Sequence, residues 1–271
     1  MKTAGFILLL MITSSIVYAQ EAKIEEAWVK KDSVFISNYI KAIKDNALEI
    51  EGYLEPIKKW EDNLGFGYSS IEGSMGKGYV TVFYQLIYYK DKLISYKLNP
   101  QMPRDDRLTD RYKQFYSPLY RFDDNNNVET YYYNFEEMAK PLNGFPREPS
   151  NMALSYLMTP FSGIVYGYTG DFTSSILPNR EAYHDVREQL IPEDYLMLLF
   201  SKNPATRLTA IEEYYRNTAK FEKYKAEIEN RIQTIFKELP ETKTMFGCVL
   251  TSDDSKKLVE FYLKEIKNYS K

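Results

Sequence analysis

The sequence is poor in the residues that build most metal sites and disulfide frameworks. It contains one cysteine, Cys248, and one histidine, His184, among 271 residues. A single cysteine excludes an internal disulfide, and a single histidine excludes a metal site with several histidine ligands. Because Cys248 lies in the apolar run at residues 245–250, we expect it to be buried. The composition predicts a fold that its hydrophobic core alone stabilises, with no bound metal or cofactor.

A strong charge of either sign is also missing. The formal net charge is −3 at pH 7, which argues against a nucleic-acid partner or an anionic membrane surface. Long apolar stretches are missing except at residues 4–17. This stretch leads into Val17-Tyr18-Ala19. The small residues there predict a signal peptide at residues 1–19. The run is too short to cross a bilayer, so we expect an exported, soluble mature chain in the periplasm or outside the cell, with no membrane span.

Aromatic residues, in contrast, are plentiful. The sequence has 25 tyrosines and 15 phenylalanines beside 2 tryptophans. A tyrosine ring supplies apolar area and a hydroxyl group, so it suits half-buried sheets and binding surfaces equally well. Packing within the fold is expected to use most of them.

The pattern of apolar residues predicts an α+β fold, with N-terminal helices and an antiparallel meander sheet followed by a mostly helical C-terminal half. Residues 21–64 are mostly helical in pattern. The following segments predict strands at 66–71, 79–89 and 93–98, a glycine loop at 73–78, a tight turn at 90–92, an exposed loop at 99–111 and a second hairpin over 119–133.

Three prolines and a glycine at residues 141–149 mark the best candidate boundary between domains. We therefore divide the predicted mature chain into a helix-and-sheet region, 20–145, and a mainly helical region, 146–271. One continuous domain covering both remains the alternative. The second region has helical patterns at 151–158, 178–190 and 192–201. A capping box at 251–254 precedes the last helix, and residues 244–250 form a short extended run.

The clearest helix start in the sequence is at Asn203, because its side chain can cap the first turn and Pro204 suits the first helical position. The apolar residues that follow at helical spacing predict one buried stripe, made by Ala205, Leu208, Ile211 and Tyr215. The next apolar stripe begins at Phe221, which is out of phase with the first. The phase change predicts a break near Asn217.

Two short motifs match known sites only in part. The segment 73–78 resembles a phosphate-binding loop, and Ser74-Met75-Gly76-Lys77 matches the Ser-x-x-Lys of penicillin-recognising enzymes. Both motifs need a helix to follow, whereas a strand is predicted here, so we set both aside. Asp123, Asn125 and Asn127 have calcium-loop spacing, but the required glycine and glutamate are missing. A hairpin turn explains them better.

The remaining candidates are acids beside aromatic residues. Glu72 follows Phe66-Gly67-Tyr68, and Asp171 lies between Tyr166-Gly167-Tyr168 and Phe172. Carboxylates beside tyrosines are what a glycan-cleaving site uses, the acids for proton transfer and the rings for stacking on sugars. Glu72 and Asp171 are therefore the candidate catalytic pair. The candidate binding residues are Tyr68, Tyr166, Tyr168 and Phe172.

No complete catalytic constellation emerges from these motifs. The leading hypothesis is an exported, non-enzymatic binding or accessory protein that holds a glycan, a peptide or an envelope protein on a tyrosine-rich surface. The alternative is a glycan-directed hydrolase that uses the Glu72 and Asp171 carboxylates.

Overall fold

The computed structural model describes residues 2–54, 61–170 and 175–269, with side chains for 23–54, 61–76, 78–170 and 175–264. The fold is α+β, as the sequence predicts. The helices are α1 (Lys2–Asp45), α2 (Glu51–Leu54), α3 (Thr109–Tyr116), α4 (Phe135–Ala139), α5 (Met152–Met158), α6 (Pro178–Val186), α7 (Pro192–Leu198), α8 (Pro204–Arg216), α9 (Lys225–Glu238) and α10 (Ser255–Tyr269). Short 3₁₀ helices occupy Ala47–Ile50, Asp106–Leu108, Leu142–Gly144, Pro160–Ser162, Arg187–Gln189 and Thr218–Tyr224.

The strands of the described residues form one five-stranded sheet and two two-stranded sheets. The strands are β1 (Asp62–Gly65), β2 (Tyr68–Lys77), β3 (Val80–Tyr89), β4 (Lys92–Pro100), β5 (Tyr131–Tyr133), β6 (Thr169–Gly170), β7 (Ser175–Ile176), β8 (Glu241–Phe246) and β9 (Val249–Asp254). The large sheet has the order β1-β2-β3-β4-β5, which is the predicted meander. β6 pairs with β7 and β8 pairs with β9, both antiparallel.

The chain forms two compact units. The first contains residues 1–56, 73–84 and 98–131, and the second contains residues 57–72, 85–97 and 132–271. Strands β2, β3 and β4 contribute residues to both units.

Tyrosine packing dominates the first unit. Tyr39 of α1 and Tyr116 of α3 both contact the buried ring of Tyr120, with ring centres 6.3 and 5.5 Å apart. Asp32, fully buried on α1, accepts hydrogen bonds from the Tyr112 hydroxyl and, at 2.8 Å, from the Tyr79 amide. Burial raises the pKa of Asp32 despite these two donors. In this unit tyrosine therefore serves mainly as a core residue.

The predicted strand at 79–89 and the tight turn after it are confirmed. Lys90 and Asp91 have φ of +47° and +63°, the left-handed pair that a two-residue hairpin turn needs. The prediction of a glycine loop at 73–78 is wrong, because strand β2 continues to Lys77 and, within this segment, only Gly78 lies in a turn. Gly73 lies under the Tyr84 ring, where an added Cβ would be 2.5 Å from the hydroxyl oxygen. A glycine inside a strand here marks a close approach, which its sequence pattern does not distinguish from a loop.

The exposed loop predicted at 99–111 is wrong in its second half. A 3₁₀ turn and α3 begin there, and Leu108 and Tyr112 are buried. The hairpin at 119–133 exists in part, as a single antiparallel bridge between Phe122 and Val128. The Asp123 carboxylate accepts from amides inside that turn, which supports the hairpin explanation of the calcium-like spacing. The rest of the segment joins the large sheet as β5.

Helix α8 begins as predicted. The Asn203 side-chain oxygen accepts from the amides of Ala205 at 2.9 Å and Thr206 at 3.4 Å. The predicted break is confirmed as well, since α8 ends before Asn217 and a 3₁₀ turn follows. The prediction of a single apolar stripe is wrong at its last residue, because Tyr215 is 45% exposed whereas the neighbouring Tyr214 is buried. Most of α8 is buried all round, so one stripe does not describe it.

The C-terminal hairpin corrects two further expectations. Cys248 is exposed, because it lies in the β8–β9 turn beside Gly247, which has φ of +57°. Residues 251–254, predicted to form a capping box, belong to β9. The Asp254 carboxylate nevertheless accepts from the Lys257 amide at 2.8 Å, at the start of α10. Among the residues for which the fold is described, no helix has the length and apolar character that a membrane span requires.

Candidate functional site

Tyr68, a predicted binding residue, forms an aromatic pair with Tyr89, which the sequence analysis did not single out. Tyr68 begins β2 and Tyr89 ends β3, with ring centres 4.8 Å apart and ring planes tilted by 46°. Tyr89 is 36% exposed and Tyr68 is half-buried. The Lys90 ammonium lies 5.1 Å from the centre of the Tyr89 ring, and the Lys90 amide donates to the Gly67 carbonyl at 2.9 Å. Two hairpin turns therefore hold this pair in place.

The polar surroundings of the Tyr68–Tyr89 pair come from helix α4 and the residue before Asn203. The Lys202 ammonium lies 5.9 Å from the Tyr68 ring centre and donates to the carbonyls of Glu137 and Lys140 at 2.7 and 2.6 Å. Burial lowers the pKa of Lys202 to about 8. Burial also raises the pKa of Tyr68, with smaller contributions from Tyr89 and the Glu137 charge. The rings thus have a carboxylate and ammonium groups around them.

Glu72 lies four residues further along β2, on the same side of the strand as Tyr68 because side chains alternate. That spacing corresponds to roughly 13 Å along a strand. The Glu72 side chain is exposed, yet enough protein surrounds it that desolvation raises its pKa. The charges of Lys243 and Lys97 lower this pKa and the charge of Asp62 raises it. Glu72 therefore belongs to a local group of alternating charges.

Asp62 is the second carboxylate of this group. In the β1–β2 register Asp62 pairs with Ser70, so Asp62 and Glu72 lie on one face as diagonal neighbours. The Asp62 carboxylate forms an ion pair with the Lys243 ammonium at 2.6 Å. Asp62 and Lys243 also line a cavity of about 260 Å³. The other residues lining it include Leu64, Ile164, Pro204 and Pro240.

This arrangement offers two carboxyl groups in different environments. Asp62 has an ion-pair partner, while Glu72 has a pKa raised by desolvation. Such a difference is what separates a proton donor from a permanently ionised carboxylate in acid–base chemistry. Lys97, held by a 3.2 Å hydrogen bond to the Phe161 carbonyl, has its pKa lowered by burial.

The predicted partner of Glu72, Asp171, and the predicted binding residue Phe172 lie outside the described residues. Tyr166 is 1% exposed, and its hydroxyl donates to the Glu212 carboxylate at 2.9 Å. The half-buried Tyr168 donates to the same carboxylate. The structure therefore brings Tyr166 and Tyr168 together at Glu212, in a cluster that contains neither Tyr68 nor Glu72.

Two arginines complete this cluster, which we call the Glu212 cluster (Tyr166, Tyr168, Arg180, Glu212 and Arg216). Arg180, buried on α6, approaches the Glu212 carboxylate at 2.8 Å, and Arg216 approaches it at 2.6 Å from one turn along α8. Arg180 also lies over the Tyr168 ring, 4.0 Å from its centre. Sequence reasoning missed Glu212, Arg180 and Arg216. The only local signal was the four-residue spacing of Glu212 and Arg216.

Within the described ranges, no group of three or more histidine, cysteine, aspartate or glutamate residues is placed to hold a metal ion. No family model matches the sequence, and the searches of curated proteins and of solved structures found no match. The functional argument therefore rests on the side chains themselves.

Proposed function

We propose that this is an exported, non-enzymatic binding protein that holds a glycan chain at the Tyr68–Tyr89 pair. The observation that carries the proposal is the presence of two tilted tyrosine rings, one of them 36% exposed, at adjoining hairpin ends. The apolar face of a sugar ring packs against such a surface, and its hydroxyls need polar partners around the rings. Glu137 and Lys90 supply charged groups there.

Hairpin geometry supports ligand binding at this place. Gly67 and Lys90 connect the two turns through one backbone hydrogen bond, so the rings do not need to be ordered when a ligand arrives. A preformed aromatic surface loses little conformational entropy on binding. Export through the predicted signal peptide would bring the pair to envelope or extracellular glycans.

The test is retention of the protein in native gels that contain soluble polysaccharides, followed by calorimetry with the glycan that retards it. Replacing Tyr89 by alanine should weaken binding by roughly tenfold or more, because an aromatic anchor in a contact surface is worth about 2 kcal/mol. Tyr215→Ala is the matched control, since Tyr215 is 45% exposed on α8. It should bind as the wild type does.

Thermal unfolding of both variants separates lost binding from lost folding. Equal retention of wild type and Tyr89→Ala by every glycan that binds would contradict the proposal. Binding of extended peptides in place of glycans would move the function to a peptide-binding protein.

A second candidate function is glycan hydrolysis, which the diagonal positions of Glu72 and Asp62 on one face of the sheet favour. Glu72, with its raised pKa, would donate a proton to the leaving oxygen, and Asp62 would act as the ionised carboxylate. In this interpretation Asp62 takes the role that the sequence assigned to Asp171.

Glu72→Gln should then abolish the release of reducing sugars from a glycan mixture without changing the melting temperature. The exposed Glu136→Gln is the control. Activity should fall as pH rises through the raised pKa of Glu72, because the acid form is the active one. Equal turnover by Glu72→Gln and wild type would exclude this mechanism.

A further inference from the structure

Helix α8 carries a buried arginine that has no acidic partner in the described part of the chain. Arg207 is 0% exposed, and its guanidinium donates to the carbonyls of Ser201, at 3.1 Å, and Leu64. Its Nε is buried and has no hydrogen-bond partner among the described residues. A buried guanidinium normally has a carboxylate or another anion nearby, because removing a full charge from water is costly.

Helix α9 places a second arginine close by. Arg231 is 6% exposed, and its Nε donates to the Leu199 carbonyl at 3.2 Å. Its Nη2 is buried without a hydrogen-bond partner in the described part of the chain. Each arginine therefore keeps at least one buried N–H group without a hydrogen-bond partner among the described residues.

No carboxylate of the described residues lies within 4.0 Å of either guanidinium. Burial, with the charge of Arg231, lowers the pKa of Arg207 to about 9. Burial lowers the pKa of Arg231 to about 10, and the charge of the exposed Glu238 opposes that shift. Two positive charges thus share one buried region without an ion pair.

A phenylalanine ring closes this region. Phe66 lies with its ring centre 5.0 Å from the Arg207 guanidinium carbon and 4.5 Å from that of Arg231. Phe66 itself is half-buried in the β1–β2 turn. Attraction between the ring face and each cation replaces part of the missing counter-charge, although such contacts are weaker than an ion pair to a carboxylate.

The backbone under this ring is strained. Gly65, Phe66 and Gly67 all have positive φ, of +76°, +58° and +79°. Glycine adopts this conformation freely, but a phenylalanine does so at a cost, and such strain is concentrated at functional positions. The ring is therefore held over the arginines by a turn that its own backbone disfavours.

We propose that Arg207 and Arg231 form a binding site for a tetrahedral oxyanion, a phosphate or sulfate group, which Phe66 covers in the present conformation. Guanidinium N–H groups pair with the oxygens of such groups through two parallel hydrogen bonds. The unpartnered Nε of Arg207 and Nη2 of Arg231 are the donors left for that purpose. Movement of the Phe66 turn opens the site.

The experiment is isothermal titration calorimetry of the full chain with inorganic sulfate and, separately, inorganic phosphate at constant ionic strength. Phe66→Ala, which removes the cover, should bind sulfate roughly tenfold or more tightly than the wild type. Adding Arg231→Met to Phe66→Ala should abolish that gain. Phe115→Ala is the control, because Phe115 is also half-buried and packs on α3 with its ring centre 5.3 Å from that of Tyr112.

A second readout keeps the result interpretable. Sulfate should raise the melting temperature of Phe66→Ala more than that of Phe115→Ala, which reports on the site even if the substitution loosens the turn. Equal sulfate binding by the wild type, Phe66→Ala and the double variant would overturn the proposal. A gain of the same size in Phe115→Ala would overturn it as well, because it would trace binding to general loosening.

Discussion

Helix α8 contributes residues to two arginine clusters, and the groups that contact the positive charges differ between them. In the Glu212 cluster, Arg180 and Arg216 share one fully buried carboxylate that also accepts from two tyrosine hydroxyls. In the second, which we call the Phe66 cluster (Phe66, Arg207 and Arg231), the arginines have backbone carbonyls and an aromatic ring as partners. Both clusters belong to the second unit.

The difference shows how one helix can carry both a structural and a binding use of arginine. A carboxylate with four donors is fully satisfied and gives a ligand nothing to bind. Among the described residues, Arg207 and Arg231 have carbonyls and phenylalanine rings as partners, so they keep their positive charge and spare N–H donors. The buried Nε of Arg216 also lacks a partner, but the Glu212 carboxylate balances the charge of Arg216. Lys202, which donates only to two carbonyls, is a third buried cation of this second kind. Removing a charged side chain should therefore change the free energy of unfolding by different amounts in the two kinds of cluster.

Breaking the Glu212 cluster at its centre should have the largest effect. Glu212→Gln leaves the buried Arg180 without its ionised partner and should lower the free energy of unfolding by about 3–5 kcal/mol. Urea unfolding followed by circular dichroism measures this change. Glu227→Gln, at an exposed position of α9, is the control and should be nearly neutral. A loss below about 1 kcal/mol would mean that the ion pairs contribute little.

Removing one arginine from each cluster sharpens the comparison. Arg180→Met leaves a buried carboxylate with fewer donors and should cost about 3 kcal/mol. Arg207→Met removes an unpaired charge, so the loss of its two carbonyl hydrogen bonds is partly offset, and the cost should stay below about 1.5 kcal/mol. The measurement is the difference between the two free energies of unfolding. A larger loss for Arg207→Met would contradict the distinction.

Lys202 gives an effect that depends on pH. Its pKa is lowered from 10.5 to about 8 in the folded state. Between these values the unfolded chain binds more protons, so the stability contributed by this site rises with pH by at most about 1.4 kcal/mol per unit. The stability difference between the wild type and Lys202→Met should therefore grow in favour of the wild type from pH 8 to pH 10. A constant difference would show an unshifted lysine.

Local signals predicted the parts of the fold that local contacts determine. Asn203 and Pro204 give the start of α8 because a cap acts within one turn, and the phase change after Tyr215 gives the break at Asn217. Gly73 misled the strand assignment because its role is a contact with Tyr84, which lies on the next strand. Such cross-strand contacts leave no pattern in the sequence around the glycine.

The candidate site was predictable to a smaller extent. Tyr68 was named from its position beside a glycine, and it does form part of an accessible pair, but Tyr89 was missed because it looked like an ordinary strand residue. From the sequence alone, Tyr166 was as plausible a binding residue as Tyr68. Its hydroxyl instead donates to the Glu212 carboxylate on α8, a contact that only the packing of the fold reveals. Buried polar clusters join residues that are far apart in the chain, so no short motif reveals them.

The most direct test of the difference between the two clusters is a crystal structure of Phe66→Ala grown with selenate, a sulfate analogue that anomalous scattering can locate. We predict a selenium peak between the guanidinium groups of Arg207 and Arg231 and none at Glu212. A structure in which the two guanidinium groups remain without an anion, or in which selenate binds at the Glu212 cluster instead, would contradict the account.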